Sequence, residues 1–272
     1  MAAPRRERHL RSAPTTGYYR GMDRDQFLAS PLPHQSALLR LLPRESPWVI
    51  FDIGSCEGED SIRYARLYPS ARVWAVEPLP GNVDLIKANL SRHGADRVQV
   101  VALALDDTAG QATFHVSSGR PDNAPPDTDW DYGNKSSSLL PPDEHLKLHP
   151  WVHFDDSVQV ETDRLDALAQ RCGLTAIDYI HMDVQGAELR VLTGAGTLLD
   201  SVRVIWMEVE ATPLYKDQPL KADVERFMAS RGFEKRLDTV GSVSGDQLYV
   251  NNKFYPRSSR WTRLMRRFGI AR

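Results

Sequence analysis

The sequence predicts an α/β fold in which strands and helices alternate around a largely parallel sheet. Short β-branched or apolar runs alternate with segments of helical period along most of the 272 residues. The first run leads through a glycine-containing turn, from Gly54 to Gly58, into a helical pattern. Two strand-like runs close to the C-terminus have the spacing of an antiparallel hairpin. We therefore expect one large domain with additional segments at its ends.

The predicted elements follow in chain order. Strands are expected at 48–53, 72–76, 98–105, 111–116, 158–161, 177–182, 202–209, 233–239 and 247–250, and helices at 60–67, 83–93, 163–172, 187–199 and 221–231. Between residues 117 and 150 the composition changes to Pro, Asp, Ser and Gly. A loop of this length inside a compact domain is typical of a lid or a binding loop.

These patterns divide the chain into three parts. Residues 1–45 form an N-terminal arm and a lead-in helix, residues 46–254 form the main domain with its insertion loop 117–150, and residues 255–272 form a basic amphipathic segment. Trp261, Leu264, Met265 and Phe268 share one helical face of this last segment. The face could lie in an anionic membrane interface, dock on a partner, or pack on the protein's own sheet.

Composition excludes several function classes. The formal net charge is -2, so no overall positive field would gather nucleic acid, and we expect no nucleic-acid partner. Cys56 and Cys172 are the only cysteines, too few for a disulfide framework, which is typical of a reducing compartment. No apolar run is long enough to span a bilayer. We expect a cytoplasmic protein, with peripheral membrane contact through residues 255–272 as an alternative.

A cofactor crevice is expected where the first two strands end. Ligands of open α/β sheets bind outside the carboxyl ends of the strands where the strand order reverses, so Asp52, Gly54, Gly58 and Glu77 would face one crevice. Glycines let the backbone approach a ligand closely. The carboxylate of Glu77 could accept hydrogen bonds from both ribose hydroxyls.

Detail around the first turn favours S-adenosylmethionine over NAD. The spacing G-x-G-x-x-G of a dinucleotide site is interrupted by Cys56, and Glu57, Glu59 and Asp60 crowd the start of the next helix. Three carboxylates would repel a diphosphate but tolerate an ammonium and a sulfonium group. A tight turn with acids that only cap the helix dipole is the simpler structural alternative.

Six blocks resemble, in this order, the FkbM-like family of S-adenosylmethionine-dependent O-methyltransferases: FDIGSCEG, VEPLPGN, VALALDDTAG, SSSLLPP, VETDRLDAL and IDYIHMDVQGAELRVLTGA. The resemblance implies a class I methyltransferase (Rossmann-like) fold: a three-layer sandwich around a mostly parallel seven-stranded sheet with an antiparallel C-terminal hairpin. It also implies methylation of a hydroxyl group on a sugar, glycan or secondary metabolite. The cofactor residues implied are Asp52, Gly54, Ser55, Cys56, Gly58, Glu77, Pro78, Ala104, Leu105 and Asp106.

Two positions depart from the family pattern. The family commonly has Ala-Asn where this chain has Ser55-Cys56, which changes hydrogen bonding beside the methionine part of the cofactor but keeps both glycines. The family commonly has Glu where this chain has Gln185. That difference removes one negative charge beside the expected catalytic centre.

Three residues are candidates for catalysis. An aliphatic hydroxyl is a poor nucleophile until its proton is leaving, so methyl transfer benefits from a general base. Asp183 is the first candidate because it ends the fourth core strand, close to the switch point. His181 lies on the same side of that strand and would either orient Asp183 or take the proton itself. Glu208 ends the next strand, and Asp183 with Glu208 could also bind a divalent metal. Two acids support a metal only weakly, so we predict no metal site.

The acceptor is expected to contact the insertion loop and the turn after Asp183. The predicted substrate residues are Ser136, Ser138, Gln185 and Glu188. Lys135, Trp130 and Tyr132 of the insertion loop could also take part in recognising the acceptor. Hydroxyl groups and flat aromatic faces suit a small-molecule or glycan acceptor. Glu188 could instead complement the helix that it begins. An NAD- or nucleotide-sugar-binding Rossmann enzyme and a non-catalytic cofactor-binding module are the alternative functions.

Overall fold

The structure is a computed structural model that describes residues 23–122, 124 and 131–256. Its strands are β1 Val49–Ile53, β2 Arg72–Val76, β3 Gln99–Val101, β4 Ala104–Leu105, β5 Gly110–Gly119, β6 Val152–Asp163, β7 Tyr179–Met182, β8 Val204–Glu210, β9 Phe233–Asp238 and β10 Ser244–Asn251. Its α-helices are α1 Arg24–Ala29, α2 Gln35–Leu41, α3 Glu59–Leu67, α4 Pro80–Arg92, α5 His145–Leu148, α6 Leu165–Arg171, α7 Glu188–Gly194 and α8 Lys221–Ser230. Two 3₁₀ helices span Gly133–Ser136 and Gly196–Ser201.

Seven strands form the central sheet in the order β3-β2-β1-β7-β8-β10-β9. Neighbouring strands are parallel except that β10 runs antiparallel to both β8 and β9. The expected sheet and its C-terminal hairpin are therefore confirmed. The strand order reverses between β1 and β7, so the crevice for a ligand opens where these two strands end.

Two hydrophobic layers cover the sheet. On one face, Phe51, Ile180 and Ile205 pack under α6, α7 and α8. On the other face, Ile50, Tyr179 and Val204 pack under α2, α3 and α4. Because strand side chains alternate between faces, the run Val49 to Ile53 is buried on both sides, as a central parallel strand requires. This arrangement confirms the three-layer sandwich.

A second, three-stranded sheet in the order β4-β6-β5 was not expected. The predicted strand 98–105 divides into β3, which pairs in the central sheet, and β4, which pairs with β6. The predicted loop starts later, because β5 extends to Gly119, and β6 starts at Val152, six residues before the predicted strand 158–161. Most side chains of β5 and β6 are exposed or half-buried, so these strands lack the apolar alternation that reveals a strand in sequence.

Parts of the predicted organisation lie outside the described residues. These are the arm 1–22, Trp130, and residues 257–272 of the basic C-terminal segment. Within the described ranges, no helix has the length and apolar character that crossing a membrane requires.

Candidate functional site

The turn after β1 brings two backbones into contact. Gly54 has φ +80°, and a Cβ atom on it would lie 1.9 Å from the carbonyl oxygen of Asp183. The amides of Gly54 and Ser55 both donate to the carbonyl of Val76 at the end of β2, at 3.0 and 3.1 Å. Glycine is therefore required at position 54, because β1 and β7 end with their main chains touching.

Asp52 forms the floor of the site with His181 from the neighbouring strand. Asp52 is 1% exposed, and its Oδ1 lies 2.7 Å from Nδ1 of His181. Ser61 donates to the other oxygen of Asp52 at 2.5 Å. Burial lowers the pKa of His181, but the hydrogen bond and the negative charge of Asp52 outweigh burial and raise it to about 9. His181 is therefore an imidazolium at neutral pH, which suits a residue that orients its neighbours better than one that accepts a proton.

Glu77 follows β2 with its carboxylate held from the protein side. Its oxygens accept from the amides of Cys56 at 3.1 Å and Leu79 at 3.0 Å, and from the side chain of Asn82 at 3.3 Å. Burial raises the pKa of Glu77 to about 7, although these hydrogen bonds oppose the shift. Three donors leave room for a ligand hydroxyl, since a carboxylate has about four acceptor sites.

The acids at the start of α3 are neutralised by residues from distant parts of the chain. Arg24 in α1 bonds to both Glu57 and Glu59, and Lys135 Nζ lies 3.4 Å from Glu57. Burial opposes the ionisation of Glu57, but Lys135 and Arg24 together hold its pKa below the usual value. Arg63 likewise bonds to Asp60 at 3.0 Å. All three carboxylates that were expected to repel a diphosphate therefore have a cationic partner within the protein. Spacing along the chain could not identify Arg24 as the partner of Glu57 and Glu59.

One cleft collects most of the predicted cofactor residues. It encloses about 920 Å³ of space between atoms, including the open solvent at its mouth. Apolar side chains of Leu103, Leu105, Phe114 and Leu139 line part of it. The predicted residues among its lining are Asp52, Gly54, Ser55, Cys56, Glu77, Pro78, Ala104, Leu105, His181, Asp183 and Gln185.

A row of carboxyl groups lies beside this cleft, where β7 and β8 end. Asp183 follows Met182, whose β8 partner Met207 precedes Glu208, and Glu208 is paired with Asp246 on β10. Burial and then the charge of Asp183 raise the pKa of Glu208 well above its usual value. The same two causes raise the pKa of Asp246 to about 7. No group of three or more His, Cys, Asp or Glu side chains in the described ranges is arranged to hold a metal ion.

Gln185 lies between two of these carboxylates. Its Nε2 donates to Asp183 Oδ1 at 2.6 Å and to Glu208 Oε2 at 2.7 Å. Its Oε1 lies 2.8 Å from the hydroxyl of Tyr215. The sequence singled out Gln185 and Glu208, but the contributions of Tyr215 and Asp246 were missed. The register of β8 with β10 is the information that would have identified Asp246.

Several predicted residues lie away from the cleft lining. Both carboxylate oxygens of Asp106 are bonded by Arg190. Ser138 is fully buried, and its hydroxyl donates to the Gln185 carbonyl at 2.7 Å. Ser136 accepts from Tyr215 through its carbonyl, and Glu188 accepts from the amides of Val184 and Gly186. The side chains of Asp106, Ser138 and Glu188 are occupied in shaping the site. Direct ligand contacts by these three residues and by Ser136 stay predictions.

The insertion loop closes one side of the cleft. Asn134 and Lys135 belong to its 3₁₀ helix Gly133–Ser136 and line the cleft together with Cys56. Asn134 donates to Glu57 Oε1 at 3.3 Å and to Asn82 Oδ1 at 3.1 Å, and the Cys56 thiol lies 3.4 Å from Asn134 Oδ1. The loop is thus a wall of the site, and Asn134 was not identified from the sequence.

The predicted cofactor residue Gly58, with φ +83°, lies at the N-terminus of α3 against Ile86.

Comparison with known proteins agrees with this geometry. The family model described as "Methyltransferase FkbM domain" matches residues 52–235. The chain is 35% identical to the 2-O-methyltransferase NoeI of Sinorhizobium fredii (strain NBRC 101917 / NGR234), over 82% of this chain and 87% of that protein. It is 25% identical to the methyltransferase sdnD of Sordaria araneosa, over 71% of this chain and 76% of that protein.

An O-methyltransferase from Bacillus cereus in complex with SAH aligns with a TM-score of 0.44 and 18% identity, covering 84% of this chain and 88% of that chain. The strand order β3-β2-β1-β7-β8-β10-β9 assigns the fold. The family match covers more than half of the sequence, and the chain therefore belongs to the FkbM family of S-adenosylmethionine-dependent O-methyltransferases.

Proposed function

We propose that the protein methylates a hydroxyl group of an uncharged sugar, glycan or other polyhydroxylated small molecule, with Asp183 as the general base. The observation that carries this proposal is the contact between the two halves of the site. The end of β7, which bears Asp183, touches Gly54 in the turn that lines the cofactor cleft. An acceptor beside Asp183 would therefore meet the cofactor at the cleft.

The residues of the cleft fit S-adenosylmethionine. The carboxylate of Glu77 retains acceptor capacity for ribose hydroxyls, and Leu103, Leu105 and Phe114 offer an apolar surface to a flat ring. Asp183 lines the same cleft and would favour a ligand that carries positive charge. When bound, S-adenosylmethionine supplies a methyl group activated by attachment to a sulfonium.

The chain's own residues provide orientation and proton removal. Asp183 accepts the proton of the acceptor hydroxyl. The hydroxyl oxygen of the acceptor forms the new bond to the methyl carbon while the carbon–sulfur bond breaks. His181, fixed by Asp52, lies two residues before Asp183 and holds the floor of the site. Much of the remaining rate enhancement would come from holding the two reactants in line.

The carboxylate row supports an uncharged acceptor. Asp183, Glu208 and Asp246 offer hydrogen-bond partners to sugar hydroxyls. The negative charge of Asp183 would repel phosphate or carboxylate groups on an acceptor. The cytoplasmic location and the membrane contact through residues 255–272 stay predictions.

Two measurements test this function. Calorimetry with S-adenosylhomocysteine and with NAD should give heat of binding only with the former. Mass spectrometry after incubation with isotopically labelled S-adenosylmethionine should then find label in neutral polyols of an acceptor panel and not in their phosphorylated counterparts. Binding of NAD without S-adenosylhomocysteine would contradict the cofactor assignment, and labelling mainly of anionic acceptors would contradict the acceptor class.

A further inference from the structure

Gln185 makes polar contacts to three side chains from three parts of the fold. Its Nε2 lies 2.6 Å from Asp183 after β7 and 2.7 Å from Glu208 on β8, and its Oε1 lies 2.8 Å from the hydroxyl of Tyr215. A primary amide has two N–H donors and one carbonyl acceptor. The contacts use all of these groups.

The orientation of the amide follows from its partners. In the opposite orientation the carbonyl oxygen would face both carboxyl groups, and oxygen would lie against oxygen. With the observed orientation one N–H points at each carboxyl group. Gln185 therefore offsets part of the repulsion between Asp183 and Glu208, which a charged or apolar side chain of the same length would not do.

The backbone of Gln185 is held in the position that this bridge requires. Its φ is +54°, a left-handed conformation that is uncommon for a residue with a side chain. The hydroxyl of Ser138 donates to the Gln185 carbonyl at 2.7 Å. Tyr215 is fully buried, and its hydroxyl also lies 2.7 Å from the carbonyl of Ser136 in the cleft wall. Such conformations persist where the surrounding contacts enforce them, and they are frequent at functional sites.

We propose that Gln185 is a positioning residue whose amide joins Asp183 and Glu208 into one carboxyl pair and fixes the Asp183 oxygen that it binds, leaving the other oxygen for the acceptor. This inference rests on the proposed function, in which Asp183 meets the acceptor hydroxyl. The single hydrogen of the Tyr215 hydroxyl goes either to this amide or to the Ser136 carbonyl, and the Ser138 hydroxyl links Gln185 to the insertion loop. The bridge thus couples the loop that encloses the cofactor to the carboxylate that takes the proton.

Glu208 reports on the bridge because it lies among other ionisable groups. The groups that face it come from the turn after β7, from β8, β10 and α7, and from the segment before α8: Asp183, Glu210, Asp246, Glu188 and Tyr215. Burial and the acids among these groups favour the protonated form of Glu208, whereas the Gln185 donor favours the ionised form. Removing the donor should therefore shift the titration of Glu208 to higher pH.

The test is an NMR titration of the full-length protein labelled with ¹³C at glutamate carboxyl carbons, without an acceptor. The Glu208 resonance is assigned as the one that is absent from the spectrum of the Glu208→Gln variant. We compare the wild-type protein with Gln185→Met, which removes the donors, and with Gln185→Glu, which keeps the length and adds a carboxyl group. Gln159→Met is the matched control, because Gln159 is exposed on β6 in the second sheet.

The titration midpoint of Glu208 should rise by about one pH unit or more in both Gln185 variants and stay unchanged in the control. An unchanged or lower midpoint in either folded Gln185 variant would overturn the proposal. Calorimetry with S-adenosylhomocysteine on the wild-type protein separates the two ideas. Absence of binding there counts against the proposed function, whereas an unchanged Glu208 titration in a protein that binds counts only against the bridge.

Discussion

Nδ1 of His181 lies 2.7 Å from Oδ1 of Asp52, across adjacent parallel strands and directly beneath the cleft. Asp52 is buried and His181 is half-buried, with side-chain exposures of 1% and 14%. In the folded protein the pKa of His181 is about 9, above the value of about 6.5 for an unfolded chain.

This pair should make stability depend on alkaline pH. A folded-state pKa above the unfolded value gives stability that is fully present below about pH 6.5 and is lost as pH rises through about 9, at most about 3 kcal/mol. Urea unfolding of the wild-type protein and of His181→Asn at both ends of this interval measures the difference. An equal pH dependence in the two proteins would show that His181 is not responsible.

Asp183→Asn should abolish turnover and keep cofactor affinity. The amide cannot accept the acceptor's proton, and loss of a general base lowers the rate by about 100-fold or more. Calorimetry with S-adenosylhomocysteine and incorporation of labelled methyl groups measure the two properties separately. Asp84→Asn, at an 81% exposed position of α4, is the matched control. Unaltered turnover in Asp183→Asn would remove Asp183 from the mechanism.

Affinity for S-adenosylhomocysteine should increase as pH rises through about 7, the pKa of Glu77. Only the ionised carboxylate keeps an acceptor site for a ribose hydroxyl while it accepts from Cys56, Leu79 and Asn82. Glu77→Gln should bind about tenfold more weakly and lose this pH dependence. Glu161→Gln, at an exposed site on β6, should retain both the affinity and its pH dependence. A pH dependence that survives in Glu77→Gln would assign it to another group.

Gly54→Ala should destabilise the protein and weaken cofactor binding. The added Cβ would lie 1.9 Å from the Asp183 carbonyl at φ +80°, so the unfolding free energy should fall by about 2 kcal/mol or more. Gly81→Ala is the control, since Gly81 lies in α4 with no atom within 4 Å of an added Cβ. That variant should be as stable as the wild type or about 0.5 kcal/mol more stable. Equal unfolding midpoints for both variants would contradict the close approach of β1 and β7.

Arg24→Met should destabilise the start of α3. It leaves the buried Glu57 and Glu59 without the guanidinium that bonds to both, and breaking a buried ion pair costs about 3 kcal/mol. The midpoint of urea unfolding measures the loss. Arg40→Met, at an exposed position of α2, should change that midpoint little. A similar midpoint for both variants would show that Lys135 alone compensates Glu57.

The central sheet could be predicted because its strands are buried on both faces. Val49–Ile53 and Val204–Glu210 therefore appear as nearly continuous apolar runs. The second sheet could not be predicted in this way. Along β6 the sequence VHFDDSVQVETD mixes exposed acids with apolar residues, and pairing with β5 rather than burial maintains the strand.

The same distinction applies to the site. Residues that end buried strands, such as Asp52, Glu77 and Asp183, were identified because an acid after an apolar run is unusual and parallel strands place such ends together. Arg24, Asn134, Tyr215 and Asp246 were not, since each reaches the site from a separate element. These residues are close to the site in space but distant from it along the chain, so no local spacing of residues identifies them.

The sequence by itself determined the α/β class, the glycine turn after the first strand and the family, because these depend on local periodicity and on short blocks of residues. Only the tertiary structure decided which charges are compensated and which act together. Arg24 neutralises Glu57 and Glu59, Asp52 keeps His181 charged, and Gln185 joins Asp183 to Glu208. The energy of a charge depends on burial and on partners within a few ångströms, and folding determines both.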